Sequence, residues 1–381
     1  MLKVMTIVGT RPELIRLSRV IARLDETVDH VLVHTGQNYD YMLNEVFFAE
    51  LGIRKPDHQL GVDTSSLGRV LGETLIRSEE VLTIEKPDAV LILGDTNSSI
   101  AALMAKRMHI PVYHMEAGNR CYDENVPEET NRRMVDHIAD FNLVYTEHAR
   151  RNLLAEGIQP RRIMLTGSPM REVLESYRPQ IESSLVLERN GLNERAYMVV
   201  SAHRQENVDS PSRLRMLLDC LTELKSTTGM PVVVSTHPRT RQRLSGLPSA
   251  AMPDGITFHE PFSFVDYIRL QLGSACVLSD SGTISEEATI LGFPAVTLRD
   301  SIERPEAIDS GGIVLTGLDA RDICDAVRAA THAYACGSRR DALSRLPAEY
   351  RIGNTSDRVV KFILSTCRRH AKWSGLDVDP I

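Results

Sequence analysis

A chain of 381 residues with 42% hydrophobic and 25% charged side chains has the composition of a globular protein. It is too long for one ordinary core, so two domains are expected. Its net charge of −7 argues against a general nucleic-acid or membrane-surface binder, while leaving room for a local basic pocket that takes a small anion. The six cysteines are widely spaced, with no CxxC pair and no His/Cys ligand spacing. Structural zinc and a disulfide framework are therefore not expected, and reduced thiols in a cytoplasmic protein are. No apolar run reaches the length of a membrane span, and the apolar part of MLKVMTIV is too short for a signal-peptide core.

Along the chain, short Val/Ile-rich runs alternate with helical patterns. VMTIV (4–8) precedes an amphipathic stretch over 14–24, HVLVHT (30–35) precedes MLNEVFFAEL (42–51), and AVLILGD (89–95) precedes SIAALMAKRM (99–108). IPVYHME (110–116) leads into a carboxylate-rich stretch, FNLVYTE (141–147) precedes ARRNLLAEG (149–157), and RIMLTG (162–167) closes this half. The rhythm predicts a parallel sheet with helices on both faces. TGSPM (166–170) opens a polar, proline-containing segment that reads as a hinge. The same rhythm then returns in AYMVVSAH (196–203), MPVVVSTH (230–237), GITFHE (255–260), SACVLSD (274–280) and FPAVTL (293–298). Two doubly wound α/β domains are expected, 1–167 and 168–355, with a cleft between them. A helix over 356–373 is a candidate to rejoin the first domain.

Polar residues gather where strands end, which is where such sheets bind ligands. Gly9–Glu13 is a glycine-containing turn that opens a helix, and its N–H groups with Arg11 suit a phosphate. An ordinary βα turn with Pro12 at the helix start is the simpler alternative. Asp95 ends one apolar strand and Glu116 the next, so the two stand at one sheet edge. That pair suits general acid/base work, against the plainer reading of two helix caps. In the second half, His203-Arg204 and His237-Pro238-Arg239 end two strands. At Ser281-Gly282-Thr283 a helix begins, and its N–H groups favour a phosphate; Glu287, one turn on, suits the vicinal hydroxyls of a ribose. A capped helix explains the same residues. Arg304 adds a cation near this edge. Arg11, Arg204, Arg304 and the 281–283 turn read together as a phosphate clamp, and Asp95 and Glu116 as acids facing it. This suits a sugar nucleotide whose diphosphate is held while its sugar is deprotonated. No GxGxxG follows the first strand and no Walker loop is present, so no cofactor is indicated, and no metal.

These residues resemble the non-hydrolysing UDP-N-acetylglucosamine 2-epimerases over roughly residues 3–365. The resemblance is carried by Gly9-Thr10-Arg11-Pro12-Glu13, Gly94-Asp95-Thr96, His114-x-Glu116-Ala117-Gly118-x-Arg120 and Pro127-Glu128-Glu129-x-Asn131-Arg132. It continues through His203-Arg204-x-Glu206-Asn207, Asp280-Ser281-Gly282 and Glu303-Arg304-Pro305-Glu306. It implies a glycosyltransferase-B-like fold of two Rossmann-type domains, a homodimer, a UDP-sugar as the only partner, and inversion at C2 without metal or nicotinamide. Asp95, Glu116 and Glu128 match the family's acid/base carboxylates, and His203 matches its histidine near the phosphates. Arg11, Ser281, Gly282 and Arg304 match the family's UDP contacts, and Glu287 matches its ribose-binding carboxylate.

The chain departs from the family pattern in three places. Arg16 stands where a lysine is usual, keeping the charge with a different geometry, and a phosphate contact is expected of it. Asn119 replaces the leucine of Gly-Leu-Arg, and Thr283 the second glycine of Ser-Gly-Gly. The stretch Asn119–Asp123 with Val126–Arg133 resembles the branch that makes UDP-N-acetyl-L-fucosamine from UDP-2-acetamido-2,6-dideoxy-L-talose. The UDP-GlcNAc/UDP-ManNAc pair and that 6-deoxy-L-sugar pair therefore both stand as substrates, and residues 119–125 are the expected place of substrate choice. Gly36-Gln37-Asn38-Tyr39-Asp40 fits only part of an allosteric UDP-sugar site. A glycosyltransferase, a hydrolysing epimerase and a non-catalytic UDP-sugar binder are the rival functions.

Overall fold

The computed structural model describes residues 1–36, 48–246, 254–336, 344 and 346–376. The chain forms two compact units, Met1–Val173 with Ile352–Ile381, and Leu174–Arg351. Of the GQNYD stretch only Gly36 lies within the described residues, and of MLNEVFFAEL only 48–51.

The first unit holds β1 (Lys3–Val8), β2 (Asp29–His34), β3 (His58–Gln59), β4 (Ala89–Leu93), β5 (Val112–Met115), β6 (Phe141–Val144) and β7 (Ile163–Leu165). They pair in the order β3-β2-β1-β4-β5-β6-β7, parallel throughout. Because helices cover both faces, the central strand β4 is apolar at every position rather than alternating, and all five of its residues are buried. The helix Arg11–Thr27 turns Leu14, Leu17, Ile21 and Leu24 inward at helical spacing, with a proline in its first turn where the missing N–H costs nothing. The chain order reverses between β1 and β4. This is the switch point beside which doubly wound sheets bind their ligands.

The second unit repeats the scheme with β8 (Met198–Ser201), β9 (Val232–Ser235), β10 (Ile256–His259), β11 (Cys276–Ser279), β12 (Ala295–Thr297) and β13 (Val314–Leu315). Their order is β10-β9-β8-β11-β12-β13, again parallel, with its switch point between β8 and β11. The segment that reads as a hinge is instead mostly helical, over Met170–Ser176, Arg178–Ser183 and Val186–Arg189, and the chain passes from one unit to the other within the first of these. Pro179 sits in the first turn of its helix, where it starts the element rather than breaking it.

The helix Thr355–Ser374 belongs to the first unit. Its Val359, Val360, Ile363 and Cys367 are buried, and its Phe362 packs edge-on against Tyr113 and Phe141, whose rings stack at 4.9 Å. The buried Tyr113 hydroxyl pairs with Thr366 Oγ1 at 2.7 Å, and Thr355 Oγ1 donates to the carbonyls of Thr166 and Ser168 at 3.2 Å each.

Glu13 ties the two turns of the first switch point together. It is 2% exposed. It accepts from the Gly9 N–H at 2.6 Å, Thr10 Oγ1 at 3.1 Å, Ser98 Oγ at 3.1 Å, and the hydroxyl of Thr96. Burial pushes its carboxyl up to about 7, against the pull of those donors.

Two outcomes are expected from this packing. Ile363→Ala lowers the unfolding free energy of the first unit by about 2–4 kcal/mol with native circular dichroism retained, read from urea melts followed by the fluorescence of the single tryptophan, Trp373. Glu13 binds its proton more tightly folded than unfolded, so stability falls as pH rises from its ordinary value of 4.5 through about 7, by on the order of 3 kcal/mol. Glu13→Gln removes that slope, and the mutant–wild-type difference between pH 4.5 and 8 measures it.

Candidate active site

In the first unit the polar residues form two arginine–carboxylate pairs at the carboxyl ends of neighbouring strands. Asp95 follows β4. Its Oδ2 accepts from Arg132 Nε at 3.0 Å and also from Arg132 Nη2, a side-on grip by a buried guanidinium. Asn131 Nδ2 holds the Asp95 carbonyl at 3.0 Å. Both partners come from the helix Pro127–Ile138, so one helix faces the strand end with successive side chains. Glu116 follows β5, and its Oε2 accepts from Arg16 Nη1 at 2.6 Å. Arg16 lies on the helix Arg11–Thr27 and is only 4% exposed, while the Glu116 side chain keeps 11% exposure. Arg16 is thus turned onto a carboxylate at the strand edge.

The acid-rich stretch between them divides sharply. Glu129 is buried and accepts from Arg132 Nη1 at 2.5 Å, Arg133 Nε at 3.1 Å, the Cys121 N–H at 3.1 Å and Cys121 Sγ at 3.3 Å. Burial pushes its carboxyl up, but the Cys121 N–H and Arg132 outweigh it and hold the group below the usual carboxylate range. Glu129 and Arg132 sit three residues apart on one helix face, as their spacing requires. They form the buried shell behind Asp95 rather than a solvent face. Glu128 is half-buried and has no side-chain partner among the described residues. Asp123 Oδ1 accepts from the N–H and the side chain of Asn125, a local turn.

Glu116 has φ +66°, in the left-handed region that side chains rarely adopt. Gly118 follows at φ +80°, and a Cβ there would lie 2.4 Å from the Ala149 carbonyl oxygen, so only glycine fits. Asn119 Nδ2 lies 3.5 Å from Glu116 Oε1, which places the first residue of the expected substrate-choice segment beside the carboxylate.

The second unit organises its switch point around one buried acid. Asp280, at the end of β11, accepts from the N–H groups of His203 and Arg204 at 3.0 Å and from Asn207 Nδ2 at 3.1 Å. His203 Nδ1 lies 3.4 Å from the same carboxylate, and its ring stays partly open to solvent. Asp280 therefore joins the His203-Arg204-x-Glu206-Asn207 turn to the Asp280-Ser281-Gly282 turn. Ser281 Oγ and Thr283 Oγ1 pair at 3.0 Å ahead of the helix Ile284–Leu291. A Cβ on Gly282 would fall 2.4 Å from Glu303 Oε1 and 2.7 Å from Arg304 Nη1, so this glycine is a matter of closeness. Arg304 is buried between Glu286 Oε2 and Glu303 Oε1, 3.1 Å from each. Glu303 also takes Arg299 at 2.6 Å and Arg204 at 3.5 Å. Glu287 accepts from Gln271 Nε2 at 2.7 Å.

Each expected site residue thus lies at the carboxyl edge of its own sheet or in the segment that follows. Glu13, Glu129, Arg132, Asp136 and Asp280 were not among the expected site residues. Four of the five lie in the quoted motifs, but burial separates them from their charged neighbours and sequence does not show burial. Among the described residues no group of three or more His, Cys, Asp or Glu side chains is arranged to hold a metal ion, and no helix is long and apolar enough to cross a membrane.

Comparison with known proteins adds three kinds of likeness. The family described as UDP-N-acetylglucosamine 2-epimerase matches residues 22–364. A UDP-N-acetylglucosamine 2-epimerase from Rickettsia bellii is 43% identical, with a TM-score of 0.90 over 98% of both chains. That of Methanocaldococcus jannaschii, solved in complex with UDP-GlcNAc and UDP, is 33% identical with a TM-score of 0.87, over 96% of this chain and 100% of that one. A UDP-2,3-diacetamido-2,3-dideoxy-D-glucuronate 2-epimerase of Pseudomonas aeruginosa is 36% identical over 84% of this chain and 90% of its own length. The glycotransferase of kitacinnamycin, 11% identical with a TM-score of 0.57, shares the glycosyltransferase-B-like fold alone. On the extent of these matches, and with its motifs gathered at the two strand edges, the chain belongs to the UDP-N-acetylglucosamine 2-epimerase family of isomerases.

Proposed function

We propose that this protein is a non-hydrolysing 2-epimerase that interconverts UDP-GlcNAc and UDP-ManNAc, supplying a sugar for surface polysaccharide synthesis. The observation that carries the reading is the pair of carboxylates, Asp95 and Glu116, on adjacent strand ends and each held by its own buried arginine. One carboxylate removes the C2 proton as the C1–O bond breaks, and UDP departs with the bonding electrons, leaving a 2-acetamidoglycal. UDP oxygen then adds back to C1, and a proton returns to C2 from the other face. Oxidation state does not change, so the reaction calls for no redox partner.

Removing a weakly acidic C2 proton requires that the leaving diphosphate be stabilised as negative charge grows on it. In this reading the strand edge of the second unit supplies that stabilisation, through the N–H groups of 281–283, Arg204, Arg304 and His203. Glu287 takes the ribose hydroxyls. Glu128, half-buried on the helix that carries Arg132, serves as a further acid/base group, and Arg16 fixes Glu116. The assignment to UDP-GlcNAc rather than a 6-deoxy-L-sugar follows the names of the similar proteins, which include one acting on a different UDP-sugar.

The test is incubation in D₂O with UDP-GlcNAc, UDP-ManNAc or UDP-2-acetamido-2,6-dideoxy-L-talose, followed by NMR. Deuterium is expected at C2 with the first two, without any acceptor and without net release of free sugar. Exchange with the L-talo sugar alone would move the protein to the L-fucosamine branch, and no exchange with any of them would overturn the reaction class. Asp95→Asn and Glu116→Gln are each expected to lower turnover by about 10²–10⁴-fold while UDP still binds, as measured by calorimetry.

A further inference from the structure

Asp136 lies on the helix Pro127–Ile138, outside the motifs that mark the family, and has no part in the chemistry above. It is fully buried, yet its carboxylate reaches three separate points of the strand-end turn. The Gly118 N–H donates to its two oxygens at 3.2 and 3.1 Å. Arg120 Nη1 donates to Oδ2 at 2.7 Å, and His114 Nδ1 lies 2.9 Å from Oδ1. His114 then continues the path, with Nε2 2.8 Å from the Gly94 carbonyl. The contacts straddle Glu116, two residues before it and two after, and end on the residue that precedes Asp95.

A simpler role would be to neutralise Arg120. That charge is already met by Glu156, which takes Nε at 2.7 Å and Nη2 at 2.6 Å in a two-point fork. Neutralising Arg120 also would not require the contacts to Gly118 and His114. What does require them is the backbone of Glu116, at φ +66°. A non-glycine residue in that region is strained by on the order of 1–2 kcal/mol and stays there only when its surroundings dictate it. Burial pushes the Asp136 carboxyl up, but His114 and Arg120 outweigh it and hold it below the usual carboxylate range. It therefore stays a full acceptor for the Gly118 N–H and Arg120 at neutral pH, with the His114 ring beside it.

We infer that Asp136 is a positioning residue, which grips the chain on both sides of Glu116 and, through His114, the carbonyl before Asp95, and so fixes the two carboxylates relative to each other. The kinetic part of this inference rests on the epimerase reading; the geometric part does not.

The test uses the full chain and Asp136→Asn, which keeps the size and removes the second acceptor oxygen. In hydrogen–deuterium exchange, peptides covering 113–121 should exchange at least about tenfold faster at Ala117 and Gly118. In the epimerase assay kcat should fall by about 10–100-fold, with KM for the UDP-sugar and Kd for UDP within about threefold. A role confined to stability would lower the melting temperature and leave the kcat of the folded enzyme unchanged. His114→Gln keeps a donor toward the Gly94 carbonyl and loses the ring that stands 2.9 Å from Asp136, and should lower kcat by about tenfold. If Asp136→Asn does not fold, this second variant decides. Unchanged exchange over 113–121, or kcat within about threefold of wild type, overturns the inference. If the wild-type protein exchanges no C2 hydrogen with any UDP-sugar, the functional reading fails, and hydrogen exchange alone decides the role of Asp136.

Discussion

Buried carboxylates that accept backbone N–H groups organise both strand edges of this protein. A parallel sheet ends each strand in a turn whose first N–H groups have left the ladder and not yet joined a helix. Glu13 and Asp136 collect such groups in the first unit, and Asp280 collects them in the second. An acid can do this where a neutral acceptor would do it poorly, because charge-assisted hydrogen bonds are shorter and stronger. Desolvation opposes the arrangement, and its outcome depends on whether a cation stands near. Asp136 has Arg120 and His114 beside it and stays ionised, whereas Glu13 is surrounded by hydroxyls and one N–H and retains a proton up to about neutral pH.

On this frame the site divides its acids by their partners. Asp95 and Glu116 each hold one arginine and keep some exposure, as groups meant to meet a ligand do. Glu129, between Arg132 and Arg133, is withdrawn behind the first pair, and Glu128, its neighbour in sequence, stays half-buried without a side-chain partner among the described residues. In the second unit Arg304 is shared by Glu286 and Glu303, so its guanidinium is already oriented before any ligand arrives. Orientation set in advance lowers the cost of organising the site during the reaction, which is the form electrostatic catalysis takes.

Much of this could be read from the sequence. The central strand β4 is apolar without alternation because it is buried on both faces, and that pattern separates βαβ units from an antiparallel sheet. Residues at strand ends follow directly, since a motif's place after a strand fixes its edge. The two-residue strands β3 and β13 carry no period and were not visible. The helices after Gly167 were hidden by their prolines, which read as breakers until their first-turn position is known. The division between Glu128 and Glu129 was also hidden, since both are acids in the first turn of one helix and only the direction of the neighbouring strand end tells them apart.

The helix Thr355–Ser374 has a consequence for how the protein comes into being. The first unit is completed by residues that leave the ribosome only after all of Leu174–Arg351 has been made. During synthesis the second unit is a continuous stretch and is free to fold as soon as it emerges. The first unit meanwhile waits with Tyr113 and Phe141 lacking the aromatic and aliphatic cover that Phe362 and Ile363 later provide. The nascent chain is therefore most exposed to aggregation through its earliest-made half, and that exposure ends with the arrival of its last helix.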